Sequence, residues 1–436
     1  VTMSAAQAVT ATFAAKTVNV TVNSLAIGAM TGSVVSSDGA ITCPTTTGTC
    51  GPSVHNAAAN ITFTAKAGAA STFSGWADGP CKGTNPVCTI PLTSDVSVTA
   101  TFGPQTYMFV SSGTFIPGRL GSAAAADTDC ATLATAAGLP GTYKAWISDT
   151  GVDANTRVGA GGWMRTDGRP FTGSLANLKA SNQVVYYPPR VDENGNDFGT
   201  TRVPVLTGGS GTGTNFGAQC TGYTQTAGSA YIGIANAGSQ YWAYNELDSA
   251  GCSEQLHLYC FRTDVAATVT VTPTPSARHI FVSDLTVPAT GGLGAMDAEC
   301  IADAKAAGLA NFGNYVALLA TSTKTASSRV NAAGTTPWKR PDEVIVAATL
   351  SDLAKGNLRA PIDVAANGTT YKNPDVWSGA TDAQSVGDAT CTDWTSASVA
   401  VKGRVGAPWA AMTPDWFNIG TQTCDNLYTN VICVEP

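Results

Sequence analysis

The chain has 436 residues, a formal net charge of −7 and only 23 basic residues, which leaves no electrostatic footprint for nucleic acid or heparin. Hydrophobic residues make up 44% and charged residues 12%, enough apolar surface for about two to four domains under a polar, weakly charged exterior. No apolar run reaches the roughly 18 residues a membrane-spanning helix needs, so no membrane insertion is expected.

Residues 1–16 read as the tail of a preceding β repeat. Val9-Thr-Ala-Thr-Phe13 recurs at the end of the next stretch as Val98-Thr-Ala-Thr-Phe102, and no signal peptide precedes it. The expectation is a piece of a longer secreted protein. Residues 17–104 read as all-β. Thr17–Val22, Asn60–Ala65 and Val96–Phe102 alternate with period two and are rich in β-branched residues, with Gly, Pro and Asn between them. Trp76 is the expected core residue. Cys43 and Cys50, and Cys81 and Cys88, each close most simply on themselves.

Module A covers residues 105–263, a Thr/Pro linker covers 264–277, and module B covers 278–436. The linker lacks basic residues and carries Pro273 and Pro275, so it reads as semi-extended. The two modules are copies. Cys130, Cys220, Cys252 and Cys260 are separated by 90, 32 and 8 positions; Cys300, Cys391, Cys424 and Cys433 are separated by 91, 33 and 9. Each copy opens on an apolar strand, Tyr107–Ser111 or His279–Ser283. Each then has a helical stretch around its first cysteine, with Asp127 or Asp297 suited to the helix start and Gly138 or Gly308 at its left-handed end. A strand, an Arg-Val pair (Arg157, Arg329) and Trp-x-Arg-x-Asp follow (Trp163, Arg165, Asp167; Trp338, Arg340, Asp342). A short helix is expected at Leu350–Lys355. An aromatic stands three residues after each second cysteine, Tyr223 or Trp394.

Twelve cysteines at repeated spacing read as a disulfide framework made in an oxidising compartment, hence an extracellular or cell-surface protein. Zinc is disfavoured: Cys-x2-Cys pairs are absent, and His55, His257 and His279 do not stand at ligand spacing.

Residues 17–104 resemble a divergent internalin B-type bacterial repeat, on Gly39, Ile41 and Cys43, Phe73-Ser-Gly-Trp76, the two cysteine loops and the closing Val-Thr-Ala-Thr-Phe. The resemblance implies a stalk or spacer. Both modules resemble the endostatin domain of collagens and its bacterial relatives, which have the C-type lectin-like fold. In module B the matching residues are Gly294-Ala-Met-Asp-Ala-Glu-Cys300, Ala306-Ala-Gly-Leu309, Asp375-Val-Trp-Ser-Gly379, Cys391-Thr-Asp-Trp394 and Cys424 with Val431-Ile-Cys433. In module A they are Asp127-Thr-Asp-Cys130, Ala136-Ala-Gly-Leu139, Val205-Leu-Thr-Gly208 and Cys220-Thr-Gly-Tyr223. The implied class is α+β: two tandem C-type-lectin-like (endostatin-like) domains after a small all-β repeat domain. The resemblance implies the pairs Cys130–Cys260, Cys220–Cys252, Cys300–Cys433 and Cys391–Cys424; spacing alone leaves three connectivities open per module. The Glu-Pro-Asn or Gln-Pro-Asp and Trp-Asn-Asp segments of calcium-dependent sugar-binding lectins are missing, as are endostatin's basic patches and zinc histidines.

Catalytic signatures are also missing. There is no His-Glu-x-x-His, no Gly-x-Ser-x-Gly and no phosphate loop, and Gly208–Gly213 lacks the lysine such a loop needs. No enzyme is expected. Asp192-Glu-Asn-Gly-Asn-Asp197 bunches oxygen ligands, which makes Asp192, Asn194 and Asp197 a weak calcium candidate; otherwise no cofactor is expected. Aromatics beside amides or carboxylates suit sugar rings and protein hot spots, so Tyr186, Tyr187, Tyr241, Trp242, Tyr244, Trp409 and Trp416 are the ligand-binding candidates. Trp242 and Trp416 hold matching places, which also fits a core role. The functional expectation is an adhesin-like binding protein that recognises a cell-surface glycan or protein, with avidity if both modules engage. The alternative is a structural subunit of a surface fibre or layer that self-associates.

Overall fold

The structure, a computed structural model, describes residues 16–436 apart from 27–29, 69–70, 104–105, 218, 245–248, 275, 331–335 and 372–374. The expected β-repeat tail at 1–16 thus lies almost wholly outside the described residues. The chain divides into two units, Val1–Gly103 and Pro104–Pro436.

Alternation builds the first unit. In Thr17–Ala26, Val18, Val20 and Val22 point inward while Thr17 and Asn19 face out. This strand lies between Thr49–Asn56 and Val96–Gly103, with Thr72–Asp78 beyond the latter. A second sheet runs Thr42–Pro44, Gly32–Ser36, Asn60–Ala67, Val87–Pro91. Both sheets feed one core, where Trp76 packs edge-on to Phe73 and its Nε1 donates to the Asn85 carbonyl at 2.7 Å. The two cysteine loops close on themselves as Cys43–Cys50 and Cys81–Cys88.

The second unit holds modules A and B. Each is a mixed eight-stranded sheet with few helices, and the strand order is the same in both. In module A the order is Pro170–Thr172, Trp163–Arg165, Tyr107–Val110, His257–Arg262, Pro204–Leu206, Ser229–Ile234, Ser249–Gly251, with Tyr143–Ala145 also on His257–Arg262. In module B it is Ile345–Ala347, Trp338–Lys339, Arg278–Val282, Thr429–Val434, Asp375–Trp377, Lys402–Gly406, Gly420–Thr423, with Val316–Ala317 on Thr429–Val434. The first and last strands of each module therefore lie side by side at its centre, antiparallel. The helices Ala123–Ala136 and Gly292–Ala306 are bolted to those last strands by Cys130–Cys260 and Cys300–Cys433, and the inner bridges are Cys220–Cys252 and Cys391–Cys424. This is the pairing the endostatin-like resemblance implies.

Both helices end on a left-handed glycine, Gly138 (φ 70°) and Gly308 (φ 69°), with Leu139 and Leu309 donating back to Ala134 and Ala304 at 2.9 Å. Their aspartates do a different job from the expected one. Ser122 caps the first helix, so Asp127 sits a turn inside it. Asp127 accepts from Ala145 N at 2.9 Å and pairs with Arg157 at 2.6 Å; Asp297 accepts from Ala317 N at 2.9 Å and pairs with Arg329 at 2.6 Å. Each carboxylate ties helix, strand and Arg-Val segment together. Capping is not open to them because each sits more than a turn inside its helix, where the adjoining strand amide and the arginine are in reach.

The residues after each second cysteine form a left-handed helical turn. Cys220, Thr221, Gly222 and Tyr223 have φ of 53–65°, and Cys391 to Trp394 have φ of 50–65°. L-residues pay roughly 1–2 kcal/mol each for this conformation. Three anchors hold it: the inner bridge, the buried aromatic that closes the turn, and that aromatic's polar tip. Tyr223 Oη donates to Ser148 O, and Trp394 Nε1 donates to Ala320 O at 2.9 Å. The shared aromatic three residues after the cysteine is thus a structural plug.

The linker is not a free tether. Gly162 N donates to Ala267 O at 2.8 Å, and Val269 is fully buried and donates to Gly173 O. Val271 joins a small core of Tyr187, Val344, Ala360 and Tyr186, drawn from both modules. Thr274 then meets module B: its carbonyl accepts from Lys339 Nζ at 3.1 Å and its N–H donates to Glu343. Alternating Thr and Val reads as extended chain, a pattern that does not reveal that modules on both sides cover its valines.

Candidate functional site

Glycines set a common frame for the divergent loops. A Cβ at Gly233 would strike the backbone of Trp242, and one at Gly406 would lie 2.5–2.6 Å from the backbone of Trp416 and Phe417. Trp242 and Trp416 are therefore equivalent, and both are buried. Trp242 packs against Trp146, Phe171 and Tyr259. On this frame Tyr231 matches Arg404 and Tyr244 matches Asn418.

The chemistry at those positions differs. In module A, Phe216, Tyr231 and Tyr244 meet edge to face with centroids 5.4–6.0 Å apart, and Phe216 is 55% exposed. In module B, Arg404 pairs with both oxygens of Asp388 and donates to Asn418 Oδ1 at 3.0 Å. The charge-assisted fork holds Asp388 below the ordinary carboxylate range, with the Arg404 hydrogen bond the largest cause. One copy offers exposed rings there and the other a satisfied polar cluster. Asn245 and Glu246, grouped with Tyr244 in the sequence, lie outside the described residues.

Next to this cluster, module B has a cleft of about 320 Å³, lined by Ala354, Lys355, Thr381, Asp382, Thr413, Pro414, Trp416 and Phe417. Helix Leu350–Lys355 forms one wall, as its sequence predicts. Thr349 Oγ1 accepts from Asp352 N at 3.1 Å at its start, and Gly356 ends it at φ 72°. Gly356 is needed twice over, since a Cβ there would also strike Trp416 Nε1. The loop 407–418 forms the opposite wall. It is turned on itself by Phe417 N and Asn418 N donating to Pro414 O, which leaves Thr413 and Pro414 exposed. Trp416 and Phe417 close the bottom. Asp382 is held at the rim by Gln384 N and Ser385 Oγ, and Lys355, Thr381 and Asp382 are exposed. An apolar floor with a few polar rim groups is the usual make-up of a small-ligand site.

The other sequence candidates fall elsewhere. Tyr241 is buried and stacked on Trp409, centroids 4.1 Å apart and planes at 21°, so these two rings face each other across the seam between the modules. Tyr187 is buried too; its ring lies under Arg169 and its hydroxyl accepts from Ile345 N at 3.0 Å. Tyr186 is half-buried in the same seam, where burial and then Asp342 push its hydroxyl up. Of the seven aromatics, Trp416 lines the cleft, Tyr244 joins the module A ring cluster and Trp242 is buried in the module A core. Sequence spacing marked aromatics near polar groups, and a seam between two domains has that composition as well as a ligand site does. Lys355, Thr381, Asp382 and Thr413 were missed because nothing in the sequence sets these exposed residues apart.

The carboxylates of the calcium candidate are engaged within the protein. Asp192 accepts from Asn194 N, Asn196 N and Asn196 Nδ2 at 2.8–3.0 Å, so its carboxylate holds the turn. Asp197 faces Arg190 at 3.0 Å and Arg165 at 3.8 Å. A cation would have to displace two guanidinium groups. Among the described residues no group of three or more His, Cys, Asp or Glu is placed to hold a metal ion. His257 packs edge-on to Phe198 and its Nδ1 bonds the Ser111 carbonyl at 2.7 Å.

The seam also carries the most deeply buried charges. Arg340 forks onto Asp342 at 2.6–3.0 Å, meets Asp363 at 2.7 Å and reaches the Val185 carbonyl of module A at 3.0 Å. Burial outweighs Arg340 and pushes Asp363 up to about 6. Its Oδ2 has no hydrogen-bond partner among the described residues and lies where a Cβ at Gly238 would fall.

No protein-family model matches the chain, and no curated protein matches it. What fold and site define together is a disulfide-pinned, sheet-rich pair of repeated modules with two bridges each and a cleft on the second copy, after a β unit with two further bridges. The bridges are consistent with a secreted or extracellular protein, and no helix among the described residues is long and apolar enough to cross a membrane.

Proposed function

We propose that this is an extracellular or cell-surface binding protein of the adhesin-like kind. Its modules are C-type-lectin-like of the endostatin type, and the preceding β unit is an internalin B-type spacer. It carries out recognition and no catalysis. The observation that supports this reading is the module B cleft, built from loops on a frame that the bridges, the left-handed turn and a buried aromatic fix in place. Its size suits one or two sugar rings or a single protein side chain. Exposed Thr381, Asp382, Lys355 and Thr413 supply donors and acceptors over the Trp416–Phe417 floor, which favours a glycan without a calcium bridge. A glycan array with the intact chain tests this, alongside Thr381→Trp, which fills the cleft. Loss of array signals in the variant supports the reading. Signals that Thr381→Trp leaves intact would sink it.

A second reading has its own observation. Leu285, Leu427 and Tyr428 are 66%, 65% and 83% exposed, and they flank Asn430, whose Nδ2 donates to Leu285 O. Such a patch suits self-association in a fibre or layer. Sedimentation of the wild type and of Leu427→Asp/Tyr428→Asp distinguishes the two: a concentration-dependent oligomer that the variant abolishes favours assembly.

A further inference from the structure

We infer that module A holds the module B loop 407–418 in place, so that Arg190, Asn236, Gly238 and Tyr241 act as positioning residues for a cleft they do not line. The inference rests on the cleft reading and adds that the two modules make one site in place of two independent ones.

The contacts are backbone-specific. Gly238 N donates to Trp409 O at 2.8 Å and Ala411 N donates to Asn236 O at 2.8 Å, which pairs the two loops as a short antiparallel bridge at Ala237 and Ala410. Arg190 Nη1 donates to Ala411 O at 3.0 Å, and Thr413 N donates to Thr200 O at 3.3 Å. Tyr241 stacks on Trp409 between them. Thus residues 409, 411 and 413 of the loop are each tied to module A by their main chain. Thr413, the last of these, and Pro414 beside it form the cleft wall. Burial pushes the carboxyl of Asp415 up, and Arg202 of module A offsets part of that push.

Module A shows why the arrangement is one-sided. Its own equivalent loop, 234–244, is the partner that supplies Asn236, Gly238 and Tyr241 to the seam. The same loop is therefore a clamp in one copy and a cleft wall in the other. Gly238 fits this role, because a side chain there would collide with Asp363 of module B. A short loop left without those main-chain bonds would exchange among conformations, and binding would then require ordering it first.

Hydrogen–deuterium exchange on the intact chain tests this without a ligand. Tyr241→Ala/Arg190→Gln should speed exchange at Ala411 and Thr413 by about tenfold or more, while module A peptides covering 143–148 and 257–262 keep wild-type protection. Unchanged exchange in the loop with the module A peptides protected would overturn the inference. If both regions speed up, module A has lost its fold in that variant. Trp409→Ala, which removes the same stack from the loop's own side, then decides, and again an unchanged loop overturns it. Faster loop exchange in the variant together with a blank wild-type glycan array would sink the ligand reading and leave this one. Array binding that Thr381→Trp abolishes, together with unchanged loop exchange in the Tyr241→Ala/Arg190→Gln variant, does the reverse.

Discussion

Modules A and B have the same eight strands in the same order, the same two bridges and the same left-handed turn, yet they differ at the rim. Where module A shows Phe216, Tyr231 and Tyr244, module B has Asp388, Arg404 and Asn418. Where module B opens a cleft, module A presses its loop into the seam. The frame is held in both copies by the same bridges, a buried aromatic plug and an aspartate–arginine tie, whereas the rim contacts are not shared. On the function proposed above, the two copies share a scaffold and divide the work, with one copy as clamp and the other as receptor.

Substitutions at matched positions of the two copies measure how alike they are. Because the outer bridges close loops of 130 and 133 positions, Cys130→Ala/Cys260→Ala and Cys300→Ala/Cys433→Ala should each cost about 4–5 kcal/mol in denaturant melts. Equal losses mean the two frames are equivalent. A loss in one copy alone would break the symmetry of the frame. Removing the shared carboxylate comes next. Asp127→Ala and Asp297→Ala each strand a half-buried arginine and a strand amide, for about 2–3 kcal/mol apiece. A difference of more than about 1 kcal/mol between them would contradict equivalent packing.

These two results bear on what was legible in the sequence. Cysteine spacing and the motifs around it marked both copies, the Leu350–Lys355 helix and the glycine caps. The partner of Asp127 was not legible, because Arg157 lies 30 positions on and only the fold brings the two together. Nor was the left-handed turn, since Cys220-Thr-Gly-Tyr223 and Cys391-Thr-Asp-Trp394 carry one glycine between them although all eight residues take positive φ. For the site, aromatic residues were visible, but burial decides between core, seam and surface. That is why Tyr187, Tyr241 and Trp409 read as ligand contacts and pack between the modules.

The seam gives a prediction in pH. Asp363 moves from an ordinary value near 3.8 up to about 6, so the folded chain takes up a proton between pH 6 and 4 that the unfolded chain does not. At this group stability rises as pH falls through that window. Asp303, pushed up to about 6 chiefly by burial, shares it, so Asp363→Asn should shrink the rise without abolishing it. Asp264 works in the opposite sense. Its hydrogen bonds to Arg262 outweigh desolvation and bring it down to about 2, so its contribution is present above pH 4 and fades below. Melting between pH 7 and 3 measures both limbs, and a fall in stability from pH 6 to 5 that Asp363→Asn leaves unchanged would contradict the first. Smallest of all, Gly138→Ala and Gly308→Ala should each cost about 1 kcal/mol, because both residues hold positive φ with open space around them.

The central claim is that recognition sits in the module B cleft and that module A only supports it. It is tested most directly by binding of the intact chain to whichever immobilised glycans it retains, compared between Thr381→Trp in the cleft and Phe216→Ala/Tyr244→Ala on the module A rim. The account predicts that the first variant abolishes binding and the second leaves it within about twofold of wild type. Binding lost through the module A rim and kept with a filled cleft would contradict it.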